Sequence, residues 1–426
     1  MDALFESIVR RFNQHALSFP QRPGGATLPP ADPDRRYLLY LHIPYCISLC
    51  PFCSFHRVQY ESNAATRYYE LLRREIRLVS DRGFSFDELY VGGGTPTVQP
   101  DQLVKTIEEL RAAHPIASVS VETNPDHLKS ASLLRLREAG VDRLSVGVQS
   151  FDDGLLQAMH RLQSYGSGAE ISERLKRLRQ TFDTVNVDMI FNLPQQTAAM
   201  LKRDLDILID DIGVDQVSFY PLMTSHITKQ KMSETMGISS ESHERKYYEL
   251  IVERMLAAGY SRASAWCFSR RPGMFDEYIV DREEYVGLGS GAFSYIDGSL
   301  FASTFSIDQY LQMVEAGGTG TEKRRDMSER DQMRYHLVMT LFGGALDKRR
   351  AEQRFGGRFQ HKLWPELTAL QAMGAIKDSG ETFILTESGY YQWVVMMREF
   401  FTGINNLRAQ MRHNVVPEVP VQQTGE

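Results

Sequence analysis

The sequence predicts an α/β protein with a parallel sheet curled into a full or partial (βα)6 barrel, followed by a smaller, mostly helical domain. Two observations predict the barrel. Six strand-like segments alternate with helical ones between residues 37 and 235, and each notable polar or glycine-rich motif lies on a strand or follows its end. Such barrels carry their chemistry at the carboxyl ends of the strands. The composition, 42% apolar and 24% charged, is that of a globular protein with a substantial core.

Short buried runs predict the strands, and longer periodic runs between them predict the helices. The strands are expected at residues 37–43, 88–91, 118–122, 143–149, 185–191 and 216–220. The helices are expected at residues 66–79, 101–114, 130–139 and 197–212, with one or two more between residues 150 and 180.

The pattern changes after about residue 235. A helix is predicted at 240–258, a glycine-rich Gly287-Leu-Gly-Ser-Gly291 turn follows, and residues 327–400 predict small helices with a hairpin near 375–385. We therefore divide the chain into an N-terminal helix and Pro-rich linker (1–36), a barrel core (37–235), an extension completing the site (236–325), a winged-helix-like domain (326–412) and a disordered tail (413–426).

Charge and composition exclude several classes of protein. The net charge of −6 argues against a nucleic-acid partner bound by phosphate neutralisation. Four cysteines in 426 residues cannot form a disulfide scaffold. No apolar run reaches the roughly 18 residues that span a bilayer. The N-terminus lacks the apolar stretch of a secretory signal. We expect a cytoplasmic protein.

Three of the four cysteines, Cys46, Cys50 and Cys53, form a C-x3-C-x2-C run directly after the first strand. Three thiolates on one loop suit a [4Fe–4S] cluster, with the fourth iron open to a non-protein ligand. The alternatives are a zinc site completed by His42 or His56, or three structural thiols. Cys267 is expected to be a core cysteine on a strand.

The cysteine loop, the glycine-rich turn after strand two and the six βα units resemble the radical S-adenosylmethionine (SAM) superfamily. Further segments resemble the oxygen-independent coproporphyrinogen III dehydrogenase family, which includes heme chaperones and class C radical methyltransferases. These segments, with Asp188, are YLHIPYC (40–46), GGGTPT (92–97), ETNP (122–125), RLSVGVQSF (143–151) and LPQQT (193–197). The resemblance covers about residues 37–300 and implies a [4Fe–4S] cluster on the three cysteines and two SAM molecules.

The resemblance also implies the residues that bind SAM. Contacts to the first molecule are expected from Tyr40, Gly93, Glu122, Arg161 and Asp188. Contacts to the second, or to both, are expected from Phe52, Ser54, Gly94, Thr95 and Gln149. Glu122 suits a ribose hydroxyl or the ammonium, and Arg161 suits a carboxylate. Without the resemblance, each of these two charges is equally well explained by a surface ion pair.

Departures from the family pattern guide the choice of function. Phe55 stands where the dehydrogenases have a further cysteine, and residues 274–280 lack the histidine of the heme chaperones. Residues 277–295 and 397–408 instead resemble the class C methyltransferases that make 8-methylmenaquinone. We therefore expect anaerobic radical methylation of an sp² carbon of menaquinone. The alternatives are a tetrapyrrole enzyme, either the dehydrogenase or a heme-opening methyltransferase, and a non-catalytic heme chaperone.

The last step of that reaction needs a base, and the candidates by location are Asp276, Glu277, Tyr278, Asp281 and Tyr285, although ordinary loop residues look the same. The implied partners are a lipid quinone and reduced flavodoxin or ferredoxin. Residues 390–411 form a broad apolar helix face with Arg398, Arg408 and Arg412 nearby. This face either contacts the inner surface of a membrane peripherally or packs on its own domain.

Overall fold

A computed structural model describes residues 19, 26–178, 181–238, 241–271 and 282–413. Its strands are β1 (Tyr37–Ile43), β2 (Tyr45–Cys46), β3 (Val58–Gln59), β4 (Phe86–Gly93), β5 (Ser118–Thr123), β6 (Arg143–Gln149), β7 (Thr184–Phe191), β8 (Gln216–Pro221), β9 (Ser261–Arg262), β10 (Cys267–Ser269), β11 (Tyr285–Leu288), β12 (Phe293–Ile296), β13 (Ser299–Ser303), β14 (Thr321–Asp326), β15 (Ala345–Asp347), β16 (Ile376–Asp378) and β17 (Thr382–Leu385).

The helices up to the end of the parallel strands are α1 (Ser62–Ser80), α2 (Pro100–Ala113), α3 (Ser130–Glu138), α4 (Asp153–Ala158), α5 (Leu162–Tyr165), α6 (Gly168–Leu178) and α7 (Ala198–Asp206). The later helices are α8 (His226–Thr235), α9 (Glu241–Ala257), α10 (Ile307–Glu315), α11 (Glu329–Phe342), α12 (Lys348–Arg354), α13 (Phe359–Lys362), α14 (Trp364–Ala372) and α15 (Glu387–His413). The single helix predicted at 197–212 changes to a π-helical turn over Ile207–Ile212.

Six parallel strands of the described chain lie side by side in the order β1-β4-β5-β6-β7-β8, which confirms the predicted (βα)6 arrangement. On the free side of β1, β11 adds a further parallel strand, with Gly287 opposite Tyr40. Antiparallel strands then extend both edges: β12, β13 and β14 beyond β11, and β10 and β9 beyond β8. The segment after residue 235 therefore builds part of the same sheet.

Alternation along the parallel strands separates an apolar face from a polar one. On β5, Val119 and Val121 are fully buried, and they alternate with Ser120 and Glu122. Residues i and i+2 of a strand share a face, so the apolar set contributes to the core and the polar set forms the other face of the sheet. The same alternation recurs on β6, β7 and β8, in RLSVGVQ, TVNVDMIF and QVSFYP.

The C-terminal part is small and mostly helical, as predicted. In the residues described there, β15, β17 and β16 form an antiparallel three-stranded sheet, and β16 and β17 are the predicted hairpin. On α15, Trp393, Val394 and Met397 are fully buried in the core. The apolar face of α15 thus packs on the protein itself, the second of the two explanations. In the part of the chain that the structure describes, no helix is long and apolar enough to cross a membrane.

Candidate active site at the carboxyl ends of the strands

The cysteine loop leaves β1 and is closed by the parallel pairing of β2 with β3, in which Cys46 lies opposite Gln59. Cys46 and Cys50 are buried, Cys53 is half-buried, and all three are free thiols. The pKa of Cys46 is raised to about 12, mainly by burial and in part by the nearby Cys53 and Cys50 thiols, against the lowering effects of the Thr95 hydrogen bond and of Arg57. The three sulfur atoms are therefore close enough to interact, as ligands of one cluster must be.

Arg57 donates hydrogen bonds to the backbone of the cysteine loop. Its Nη2 donates to the backbone carbonyls of Cys50 and of Cys53, the latter at 3.0 Å. Burial lowers the pKa of Arg57, but Cys53, Cys50 and Cys46 raise it, and the net effect is a rise. A permanent positive charge thus lies beside the three sulfurs. The sequence analysis did not single out Arg57. Its position four residues after Cys53 indicates that it lies near the cysteine loop.

The glycine-rich turn after β4 packs directly against the cysteine loop. Gly94 N donates to Ile43 O at 2.7 Å, and Thr95 N donates to Tyr45 O at 2.8 Å. A Cβ on Gly94 would lie 2.7 Å from Tyr45 O and 3.0 Å from Cys46 Sγ. Only glycine allows this approach.

A chain of side-chain hydrogen bonds joins the turn to the cysteines. Arg161 is buried, and its guanidinium donates from Nη1 to Cys50 Sγ at 3.3 Å and from Nη2 to Asn124 Oδ1 at 3.0 Å. Asn124 Nδ2 donates to Thr95 Oγ1 at 2.7 Å, and Thr95 Oγ1 donates to Cys46 Sγ at 3.5 Å. Arg161 is thus no surface ion pair: it contacts a cluster cysteine directly. Asn124, within the ETNP segment, is a site residue that sequence reasoning did not single out.

Two acidic residues face the turn from β5 and β7. Glu122 accepts from Gly93 N and from the Tyr90 hydroxyl, both at 3.0 Å. Burial, and then the charge of Asp188, raise the pKa of Glu122 to about 7. Asp188 accepts from Ser145 Oγ at 2.8 Å and from Asn186 Nδ2 at 2.7 Å. The predicted residues Gly93, Glu122 and Asp188 are therefore brought together.

Two buried histidines, His42 and His56, connect Tyr40 to the cysteine loop. His42 Nε2 donates to the backbone carbonyl of His56 at 2.9 Å, so its Nδ1 accepts from the Tyr40 hydroxyl, also at 2.9 Å. His56 Nε2 donates at 3.0 Å to Ser290 Oγ, which itself donates to Thr304 O. Burial lowers the pKa of His42 to about 4, which keeps the ring neutral. The histidines thus tie the cysteine loop to the Gly287–Gly291 turn.

The hydrogen bonds of His42 argue against its part in the zinc alternative. Both nitrogens of His42 are engaged in hydrogen bonds inside the protein. Three thiols on one loop with two guanidinium groups beside them, Arg57 and Arg161, fit an anionic iron–sulfur cluster. Cys267 is fully buried on β10, as predicted for a core cysteine.

The other predicted SAM contacts, Ser54, Phe52 and Gln149, lie in different parts of the structure. Ser54 Oγ donates to Thr228 Oγ1 and accepts from Ser225 N, both at 3.1 Å, so it holds the start of α8. Phe52 is buried in the core. Gln149 ends β6 with a positive φ of 76°. The turn after it is fixed by Asp204, which accepts from Ser150 Oγ and Phe151 N at 2.9 Å.

Of the candidate bases, Asp276, Glu277, Tyr278 and Asp281 lie outside the described residues. Tyr285 is buried at the start of β11, opposite Leu38 of β1. Burial raises the pKa of its hydroxyl, and the positive charge of Arg408 opposes that rise. Tyr285 is therefore a neutral phenol near the arginine that α15 contributes.

Comparison with known proteins adds four findings. The sequence model of the Radical SAM superfamily matches residues 40–208. The heme chaperone HemW of Bacillus subtilis is 26% identical over 365 residues, covering 82% of this chain and 95% of that protein. The oxygen-independent coproporphyrinogen III oxidase of Bradyrhizobium diazoefficiens is 26% identical over 326 residues, covering 70% and 71%. The coproporphyrinogen III oxidase HemN of Escherichia coli shares the fold, with a TM-score of 0.74 at 23% identity over 86% and 91% of the two chains.

Residues 40–208 carry a radical SAM domain, and that superfamily implies a [4Fe–4S] cluster and SAM as cofactors. Over most of its length the chain is similar to heme chaperones and coproporphyrinogen III oxidases, and it shares the fold of HemN.

The prediction of a menaquinone methyltransferase is wrong, because these relatives are named for tetrapyrroles. The lipid quinone was implied through that prediction. The prediction depended on Phe55, on the missing histidine in residues 274–280 and on two short stretches, 277–295 and 397–408, which lie outside the part matched by the superfamily model.

Proposed function

We propose that this chain is a radical SAM enzyme that acts on a tetrapyrrole. Its relatives carry two kinds of name, heme chaperone and coproporphyrinogen III oxidase, and both name a tetrapyrrole. The observation that favours an enzyme over a carrier is the continuous hydrogen-bonded path Cys46–Thr95–Asn124–Arg161–Cys50. A path that fixes the cluster ligands against the glycine turn serves cofactor chemistry.

When bound, the cluster and SAM supply one-electron radical chemistry. Cys46, Cys50 and Cys53 would hold the cluster, and Arg57 and Arg161 would offset its negative charge. Glu122 would accept a ribose hydroxyl or the ammonium of SAM, beside the backbone of Gly93. The buried Tyr40 and Tyr285 would line the same side of the site as neutral phenols, because burial raises the pKa of both.

The number of SAM molecules belongs to this proposal. Glu122, Gly93 and Asp188 form a site for one molecule, whereas Gly94 and Thr95 lie against the cysteines and Ser54 binds the start of α8. We propose that a second molecule contacts Gly94 and Thr95. Equilibrium dialysis with labelled SAM on the reconstituted protein counts the sites: two per chain supports the second molecule, and one removes it.

The test of function is anaerobic. The protein is reconstituted with iron and sulfide, reduced, and mixed with SAM and coproporphyrinogen III, or with SAM and heme. We expect deoxyadenosine formation that the tetrapyrrole stimulates and that Cys50→Ala abolishes. The matched control is Cys267→Ala, since Cys267 lies in the core on β10. Mass spectrometry of the tetrapyrrole then shows whether carbon dioxide is lost.

Heme bound at one per chain without SAM cleavage would make the protein a carrier. Deoxyadenosine formation that neither tetrapyrrole alters, together with no binding of either, would refute a tetrapyrrole function altogether.

A further inference from the structure

Helix α15 brings a buried guanidinium to the side of the cysteine loop. Arg408 is only 8% exposed, and its Nη1 donates to Asn405 Oδ1 at 3.0 Å. The guanidinium carbon lies 4.9 Å from the ring centre of Phe55 and 5.7 Å from that of Phe293. The two rings come from the cysteine loop and from β12, so three separate elements of the fold frame this one charge.

The charge acts on the residues around it. Arg408 lowers the pKa of Tyr40 and of Tyr285, against the larger effect of burial, which raises both. It also lowers the pKa of His42 and of His56, in addition to burial. These four side chains come from β1, β11 and the cysteine loop, so the field of Arg408 reaches one wall of the site.

Two further arginines, Arg412 and Arg57, lie near Arg408, and we call the three together the basic rim. Arg412 follows Arg408 by one helical turn, and its Nη2 is 3.5 Å from Arg57 O. Arg57 carries the charge beside the sulfurs. The acidic side chains Glu122 and Asp188 lie on β5 and β7. The chain as a whole has a net charge of −6, so this basic rim is a local feature.

We propose that Arg408, framed by Phe55 and Phe293, binds a carboxylate of the substrate, with Arg412 assisting at the rim. A guanidinium forms paired hydrogen bonds with a carboxylate, and aromatic faces suit a flat, apolar ring system. Phe55 is 45% exposed and offers its ring to such a molecule. This inference rests on the proposed function: on a tetrapyrrole, the group bound is a propionate.

The experiment compares coproporphyrin III, a stable tetrapyrrole with four propionates, with its tetramethyl ester. Both are titrated into the reconstituted protein in the same detergent, and binding is followed by porphyrin fluorescence. We expect the acid to bind more tightly than the ester and Arg408→Gln to weaken acid binding about tenfold or more, with little change for the ester. Arg408→Lys keeps the charge and retains part of the affinity. The control is Arg350→Gln on α12, whose side chain is 85% exposed.

The outcomes separate the two proposals. Equal binding of acid and ester by the wild-type protein would overturn the carboxylate site without any variant, so a misfolded Arg408→Gln cannot hide the answer. Tight binding of the acid that Arg408→Gln leaves unchanged would also overturn it. If neither porphyrin binds the wild-type protein, the tetrapyrrole function fails and this inference fails with it.

Discussion

Replacing Gly94 by alanine tests whether the glycine turn and the cysteine loop form one unit. The added Cβ would meet Tyr45 O at 2.7 Å, and Cys46 Sγ and Pro44 C at 3.0 Å each. Ordinary contact requires at least 3.4 Å. The turn must therefore move away from the backbone that carries Cys46.

The cost follows from what that movement breaks. Crowding in a packed region costs about 1–3 kcal/mol. The hydrogen bonds from Gly94 N to Ile43 O and from Thr95 N to Tyr45 O are each worth about 0.5–1.5 kcal/mol. If both hydrogen bonds are lost, we expect a loss of about 2–6 kcal/mol in the free energy of unfolding, measured by denaturant titration. We also expect iron retention against a chelator to fall about tenfold or more, because Cys46 shifts.

The matched control is Gly259→Ala. Gly259 has a φ of 82°, and no atom lies within 4 Å of the added Cβ. Alanine there therefore costs only about 1–2 kcal/mol of backbone strain. Gly94→Ala should lose more stability than Gly259→Ala, and only Gly94→Ala should lose iron. Equal iron content and equal SAM cleavage in both variants would show that the close approach at Gly94 is not needed.

Three further predictions concern single side chains. Arg161→Gln removes a charge and a hydrogen bond from the Cys50 sulfur, so the reduction potential of the cluster should fall. Arg161→Lys should restore part of that potential. A redox titration followed by electron paramagnetic resonance measures both. The pKa of Glu122 is raised to about 7, so SAM affinity should rise from pH 6 to pH 8 as the carboxylate ionises. The Glu122→Gln variant should bind SAM with an affinity that does not depend on pH. The same pH dependence of SAM affinity in both proteins would contradict this prediction. Cys267→Ser buries a hydroxyl in the core and should cost about 1–3 kcal/mol of stability in denaturant unfolding, with iron content unchanged; lost iron would place Cys267 at the cluster.

The parallel strands could be predicted because their information is local. The strands 37–43 and 143–149 have the predicted bounds, since each is a run of mostly buried residues between breaks. Motifs that follow successive parallel strands meet at one edge, so the grouping of Cys46, Thr95 and Glu122 also followed from the sequence.

The rest depends on contacts between distant residues. The strands β11–β14 were not predicted. The short β11 pairs with the distant β1, so no local pattern marks it. The hairpin of β12 and β13 was missed although Asp297-Gly298 forms its two-residue turn, which is a local signal. The polar alternation on β5–β8, by contrast, was visible in the sequence and was passed over. The position of Arg408 over Phe55 could not be predicted, since nothing local relates the end of α15 to the cysteine loop.

The contact between Arg412 and Arg57 joins residues 355 positions apart along the chain. At about 5–20 residues per second, a ribosome needs about 20–70 s to travel from one to the other. During synthesis the cysteine loop therefore exists for tens of seconds before α15 can cover it. The side of the cysteine loop that α15 contacts is therefore the last part of the site to be completed.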